Sequence, residues 1–399
     1  MEDGDALMAR IGELWLKSEP VKKQFMKTLT RNIKAALDLE EIDYRIEEYR
    51  GRILIFGDTS KTAHVVSKIF GIVDLSVCKT TGNSMDEIAD AAVLLAKKNL
   101  KPNMKFAVRA KRQFVKGYSS HELAAYIADK IWDSVCEFTV DLDNPEYEIF
   151  AEAREYGGIV YDNRIQGQGG LPLGTAGRAA VLLSGGIDSP AAAWLMMKRG
   201  VSVTGVFMDA GKFSGPASKE LALDNARILS KWCKGRAIPV WVVNNEKFLS
   251  EASEKMDTHY MCMYCKRFMI RAAQAIADKN RLEAIVTGDN IGQVASQTLQ
   301  NMGVISQVSK LPILRPLLTY DKEETVTLAR RIGTFHDSPG NTECFAVPKK
   351  PATRSSIDFI ASQEALIDID GLITAAADSA ELWIAKNGEI FKKDFEDKV

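Results

Sequence analysis

The stretch AAVLLSGGIDSPAAAWLMMKRG, residues 179–200, decides the architecture. It opens with a continuous apolar run of the kind a buried parallel strand requires, and closes with PAAAWLMMKRG, which has the composition of a helix. Between them lie Ser184, Gly185, Gly186, Asp188 and Ser189, whose glycines let the backbone turn successive N–H groups toward one point. The helix start adds positive potential, and Pro190 in its first turn loses no hydrogen bond there. An anion, most naturally pyrophosphate, suits that geometry. No lysine followed by serine or threonine closes the turn, so it is not a Walker loop.

The same texture continues downstream. Strand-like VSVTGVFMD (201–209), helical ASKELALDNARILSKWC (217–233), strand-like AIPVWVVNN (237–245), a long helix near 260–279 and strand-like LEAIVTGD (282–289) alternate. Such alternation predicts an α/β domain with a parallel sheet covered by helices on both faces, and ligands of that architecture sit at the strand carboxyl ends. Gly288, following EAIVT and opening the GDNIGQVASQ turn, stands where backbone must approach a ligand closely.

Upstream, residues 1–60 read as one small α+β unit: a helix through GELWLKSEPVKKQFMKTLTRNIKAAL, with a restart at Pro20, then β structure from Ile42 to RILIFG. Residues 61–165 read as a second α+β unit. Helix-like KTAHVVSKIF, SMDEIADAAVLLAKKN and SHELAAYIADKIWDSV alternate there with strand-like KFAVRAKR and EYEIFAEAREYGGIVYD. Residues 166–178, with GQGGLPLGTAG, read as a linker, and 179–399 as the nucleotide domain. The glycines of the linker precede a strand instead of opening a helix, and Pro172 interrupts them, so they make no dinucleotide fingerprint.

The chain has 399 residues, 46% of them hydrophobic and 26% charged, with a net charge of −1, which excludes a uniformly basic nucleic-acid coat. Basic clusters are local. Lys101, Lys105, Arg109, Lys111, Arg112 and Lys116 fall within residues 101–116 without one acid, and Lys17, Lys22, Lys23, Lys27 and Arg31 are diluted only by Glu19. Taken singly, either cluster is as well explained by a solvated face. The acidic start MEDGDALMAR and the lack of any long apolar run predict a cytoplasmic protein that spans no membrane.

Together SGGIDSP, GVFMD, TGDNIGQVASQTLQN, ILRPLLTYDKEE and TECFAVPKKPATR closely resemble the family of tRNA 4-thiouridine synthases, or tRNA sulfurtransferases, over essentially the whole chain. SGGIDSP itself resembles the PP-loop of ATP pyrophosphatases. The resemblance implies a ferredoxin-like domain and a THUMP domain that bind tRNA, followed by a PP-loop domain that adenylates a uridine with ATP and Mg²⁺. It further implies ATP contacts from Leu182, Leu183, Ser184, Gly185, Gly186, Asp188, Ser189, Phe207, Met208, Lys266, Gly288 and Gln297. Asp188 is expected to organise metal or phosphate, and Lys105, Arg109, Lys111, Arg112 and Lys116 to meet RNA. A homodimer and a role in supplying sulfur for thiamine biosynthesis are implied too. Bland alternatives stand beside these expectations: core packing for the apolar residues, helix capping for Asp188. The competing functions are another PP-loop adenylating ligase, which the two upstream units disfavour, and a non-catalytic tRNA-binding protein, which the intact loop disfavours.

Six cysteines are too few for a disulfide scaffold. Cys262 and Cys265 form a CxxC with helical spacing, and by the resemblance Cys344 occupies the cysteine position of the family's catalytic domain. The sequence ends at Val399, leaving no room for the rhodanese domain of longer members, so sulfur is expected from a cysteine desulfurase persulfide or from free sulfide. Three cysteines without a fourth suit a [4Fe-4S] cluster with one open iron. A persulfide on Cys344 resolved by the CxxC pair, zinc completed by His259 or His336, and plain structural burial remain as alternatives.

Overall fold

The computed structural model describes residues 4–13, 17–338 and 340–393. The chain divides into two compact units: Met1–Lys22 with Ile33–Gly170, and Lys23–Asn32 with Leu171–Val399.

The first unit contains β1 (Gly4–Ile11), the two ends of α1 (Glu19–Leu39, of which Lys23–Asn32 count with the second unit), β2 (Tyr44–Tyr49), β3 (Arg52–Gly57), α2 (Thr59–Val66), β4 (Ile72–Thr81), α3 (Met85–Asn99), β5 (Lys105–Gln113), α4 (Ser120–Ser134), β6 (Thr139–Val140), β7 (Tyr147–Arg154), β8 (Gly157–Tyr161) and β9 (Ile165–Gln166). Its strands form one sheet in the order β2-β3-β1-β4-β8-β7-β5-β6, with β9 also on β4. The two expected α+β units therefore share a continuous sheet, and β4, which follows residue 60, pairs with β1 over eight positions.

Ser84 and Ser119 open α3 and α4 through reciprocal capping boxes with Glu87 and Glu122. These helices cover one sheet face, burying Ile88, Ala92, Leu123 and Ile127 against Phe106, Val108, Ile149 and Ala151. The opposite face curls until Tyr49 of β2 stacks on Tyr156 of the β7–β8 turn at 3.8 Å and Arg52 pairs with Glu152 at 3.1 Å. Three strands, β1, β4 and β8, separate β3 from β7 in the sheet order, so the sheet twists strongly and encloses Met8, Leu54, Cys78 and Ile159.

In place of the helix that residues 12–37 predict, the unit opens on β1, and α1 begins only at Glu19, with Pro20 in its first turn. Residues 14–16 of that expected helix lie outside the described residues. Residues 166–178 are tightly held: Gly167 and Gly169 donate to Val73 and Ile72, and Gly174 donates to Gly200.

The second unit contains β10 (Arg178–Leu182), α5 (Asp188–Lys198), β11 (Ser202–Asp209), α6 (Ser218–Ser230), β12 (Ala237–Asn244), α7 (Glu246–Lys255), α8 (Met261–Asn280), β13 (Ala284–Val286), α9 (Leu299–Ser306), β14 (Ile313–Leu314), α10 (Lys322–Ile332), α11 (Ile357–Glu364), α12 (Ile369–Asp378), β15 (Glu381–Lys386) and β16 (Glu389–Lys393). The sheet order is β14-β13-β10-β11-β12-β15-β16. Five strands are parallel, as the alternation predicts, and the β15–β16 hairpin adds two antiparallel strands at the β12 edge. The order reverses at β10: β11 lies on one side and β13 on the other, which opens a crevice at the β10 carboxyl end. Among the described residues no helix is long and apolar enough to cross a membrane.

Candidate functional site

The segment Leu183–Ile187 leaves β10 at that crevice and enters α5. Its shape is fixed by hydroxyls and one amide. Ser189 Oγ accepts from the Ser184 N–H at 2.8 Å and lies 2.9 Å from Ser184 Oγ. Asn225, fully buried on α6, donates from Nδ2 to the Ser184 carbonyl at 2.9 Å, and its Oδ1 meets His336 Nε2 at 3.1 Å. Neither Gly185 nor Gly186 adopts the left-handed conformation. Gly185 is required for proximity instead: a Cβ there would stand 2.9 Å from Leu221 Cβ. Asp188 starts α5 but makes no capping bond; Lys322 holds its carboxylate at 3.1 and 3.3 Å. The capping alternative for Asp188 is thereby corrected.

Gly288, just beyond β13, packs directly on this loop. A Cβ at that position would lie 2.9 Å from Asp188 C and Ser189 N. Beside it Asp289 is buried and accepts from Lys266 Nζ at 2.8 Å, Thr287 Oγ1 at 2.8 Å, Gln297 Nε2 at 3.2 Å and Arg315 Nε at 3.3 Å. Burial alone would raise the Asp289 pKa, but the Lys266 charge and these hydrogen bonds hold it at about 2. Lys266, Gly288 and Gln297 are thus brought together, next to Asp188 and Ser189. Leu183 and Phe207 are buried, while Leu182 and Met208 are part-buried against the core, so packing accounts for much of their character.

The cysteines converge from two directions. Cys262 and Cys265 lie one turn apart at the start of α8, and Cys344 is carried alongside by an antiparallel bridge to Ser214, flanked by Gly215 N–H to Glu343 O and Phe345 N–H to Phe213 O. Burial, then the nearby Cys344 and Cys262, push the Cys265 thiol up to about 12; burial and Cys344 raise Cys262 against Lys266. Asn245 Nδ2 reaches Cys265 Sγ at 4.0 Å. Three soft thiol donors in one neighbourhood match the chemistry of an iron–sulfur site. Among the described residues, however, no three metal-binding side chains are gathered at ligating distance. His336, one candidate for a fourth zinc ligand, is instead engaged by Asn225 in bracing the phosphate loop.

The basic segment 101–116 does not form one patch. Period-two alternation along β5 puts Phe106, Val108 and Ala110 against the helices, hence Arg112 on that side and Arg109 and Lys111 on the other. Lys105 pairs with Asp141 at 2.9 Å and Arg109 with Glu148 at 2.7 Å, while Arg112 is bound to the Val115 carbonyl. Lys111 and Lys116 are exposed with no carboxylate partner among the described residues.

Asn225, Asp289, Arg315 and Lys322 escape motif reading. The last three fall inside TGDNIGQ and ILRPLLTYDKEE, but only the fold shows what they touch.

A doubly wound sheet with an SGGIDS phosphate loop at its reversal point defines the nucleotide-binding class of PP-loop enzymes. Family models describe residues 6–76 as a ThiI ferredoxin-like domain, 82–161 as a THUMP domain and 174–369 as thiamine biosynthesis protein (ThiI). A probable tRNA sulfurtransferase from Methanosarcina mazei is 35% identical, with 96% of each chain covered. One from Thermoanaerobacter pseudethanolicus is 38% identical, covering 90% of this chain and 94% of that one. The crystal structure of a 4-thiouridine synthetase in complex with RNA and bound ATP matches with a TM-score of 0.86 at 32% identity, covering 96% of this chain and 100% of that one. The chain belongs to the ThiI family of tRNA sulfurtransferases.

Proposed function

We propose that this chain uses ATP to replace the 4-oxo oxygen of a tRNA uridine, that at position 8, by sulfur, giving 4-thiouridine. The observation that carries this reading is the phosphate loop at the β10 carboxyl end, where Asp188 and Ser189 face Gly288 and the Lys266–Gln297 pair across one crevice. In the first step the uracil O4 attacks the α-phosphorus of ATP and the α–β anhydride bond breaks, releasing pyrophosphate. Oxygen on C4 is a poor leaving group until adenylated. A sulfur nucleophile then adds to C4, and AMP departs carrying the original oxygen.

The protein's share of the first step is positioning and charge stabilisation. Ser184, Gly185, Gly186 and Ser189 hold the phosphates, with Leu182, Leu183, Phe207 and Met208 lining the nucleoside side. Asp188 is the residue that would hold Mg²⁺, whose charge offsets that of the departing pyrophosphate. Lys322 beside it keeps that carboxylate from facing the phosphates as a bare negative charge.

For the sulfur side we propose that Cys262, Cys265 and Cys344 would be the protein ligands of a [4Fe-4S] cluster, which when bound would supply a site for sulfide. The shared neighbourhood of the thiols supports this reading. A cysteine desulfurase persulfide or free sulfide would be the donor. We read residues 1–60, 61–165 and 179–399 as the ferredoxin-like, THUMP and catalytic modules, the first two contributing Lys105, Arg109, Lys111, Arg112 and Lys116 to tRNA binding. A cytoplasmic homodimer and a second use of the sulfur in thiamine biosynthesis complete the proposal. Pyrophosphate release measured with and without unmodified tRNA tests it: release should require both ATP and tRNA, and indifference to tRNA would refute it.

A further inference from the structure

The buried network around Asp289 does not balance its charge. One carboxylate faces two cations, Lys266 Nζ at 2.8 Å and Arg315 Nε at 3.3 Å. Neither cation has another carboxylate partner among the described residues, and Arg315 spends a further donor on Ser306 Oγ at 2.8 Å. Thr287 and Gln297 fill the remaining acceptor directions of Asp289. One positive charge is therefore left over in a largely desolvated place, adjoining Gly288, which touches the backbone of Asp188 and Ser189. Excess charge in such a position calls for an anion, and the phosphate loop is what it adjoins.

The network also sets an orientation. An ionised Asp289 forces Gln297 to present its NH₂ group, so Gln297 Oε1 is the amide atom left buried and without a hydrogen-bond partner. Arg315 comes from the chain just past β14, Lys266 from α8 and Gln297 from the turn before α9. A single carboxylate thus fixes side chains from three separate elements.

We propose that Asp289 is a positioning residue for the ATP phosphates: it holds Lys266 and Arg315 as a pair with one net positive charge beside the phosphate loop. This rests on the nucleotide site described above. It adds Arg315 as a phosphate-facing cation and Asp289 as the group that aims both cations.

The test is a double-mutant cycle read with two ligands. Affinities for ATP and for adenosine, which lacks phosphates, are measured by calorimetry on the full chain, the Asp289→Asn and Lys266→Met variants and the double variant. ATP affinity should fall about tenfold in each single variant and little further in the double, with adenosine affinity unchanged, since charge-assisted contacts to phosphate are lost while the nucleoside pocket stays. Asp289→Glu should restore part of the ATP affinity. Equal loss of adenosine and ATP in Asp289→Asn would reduce the residue to a structural role and overturn the inference, as would wild-type ATP affinity or full additivity with Lys266→Met. Should the cycle behave as expected while tRNA fails to stimulate pyrophosphate release, the proposed reaction falls and the role of Asp289 stands.

Discussion

Replacing Gly288 by alanine probes the closest approach in the site. The added Cβ would stand 2.9 Å from Asp188 C and Ser189 N and 3.1 Å from Asp188 Cβ. Ordinary contact begins near 3.4 Å, so the loop must retreat by about 0.5 Å. The obstructing atoms belong to the backbone and first turn of α5 and cannot rotate aside. Overpacking of this kind costs about 1–3 kcal/mol. Because the displaced atoms are those that hold phosphate, the cost should appear as a roughly 10- to 100-fold loss of ATP affinity, at about 1.4 kcal/mol per factor of ten. Calorimetric titration with ATP measures it, and a gel shift with tRNA should be unchanged because the substitution lies in the second unit. Gly303→Ala is the control: that glycine sits inside α9 with nothing within 4 Å of its virtual Cβ, so alanine there should be neutral or stabilise by up to about 1 kcal/mol. Wild-type ATP affinity in Gly288→Ala would mean that the loop and the β13 end do not form one rigid phosphate site.

Four further outcomes are expected. Asp188→Ala should abolish tRNA-dependent pyrophosphate release, assayed by coupled phosphate detection, while tRNA affinity in a gel shift stays unchanged. Lys111→Gln with Lys116→Gln should lower the slope of tRNA affinity against salt by up to about two charges; Arg109→Gln should change it less, since Glu148 already pairs with that guanidinium. Glu364→Ala removes a buried carboxylate held bidentately by Arg267 at 2.8 and 2.9 Å and by Arg271 at 2.8 Å, and should destabilise the second unit by about 3–5 kcal/mol in urea titration. Asp289, with its pKa lowered from 3.8 to about 2, stabilises the fold above its unfolded pKa; that contribution, about 2 kcal/mol, should fade as pH drops from about 4 to about 2 and be missing in Asp289→Asn.

The parallel sheet was legible because each of its central strands is a short apolar run followed by a helix of separate character, and the alternation survives in one dimension. β1 was not. Ala6, Leu7, Met8 and Ala9 are all buried because both faces of the sheet are covered there, which erases the period of two, and alanine, leucine and methionine favour helix by propensity. The β15–β16 hairpin has a local signal in its turn: Asn387 and Gly388 adopt φ values of 55° and 89°, the left-handed pair that an Asn-Gly turn supplies. Within the site, glycine and serine positions could be read because backbone geometry restricts residue type locally. Lys322 could not, since its partner Asp188 lies 134 residues away and a charged residue in an acidic helix start reads as solvated. In the basic segment the sequence shows the charges but not their sides, because a one-dimensional cluster on a strand is split between two faces.

One helix ties the nucleotide side to the sulfur side. α8 presents Cys262 and Cys265 near its N-terminus, Lys266 to Asp289, and Arg267 and Arg271 to Glu364. Successive residues 265, 266 and 267 therefore face a thiol neighbourhood, a phosphate-side carboxylate and the protein core. Rotation of α8 by one residue's angle, about 100°, would misplace all three at once. Arg267, buried and bound to Glu364, Val304 and Gln307, fixes that rotation through directional, charge-assisted bonds. Loss of Glu364 should therefore do more than destabilise. At temperatures where Glu364→Ala remains folded, ATP affinity and alkylation of Cys262 should shift together, because a single rigid element sets both, and a change in one without the other would show that the two sides are positioned independently.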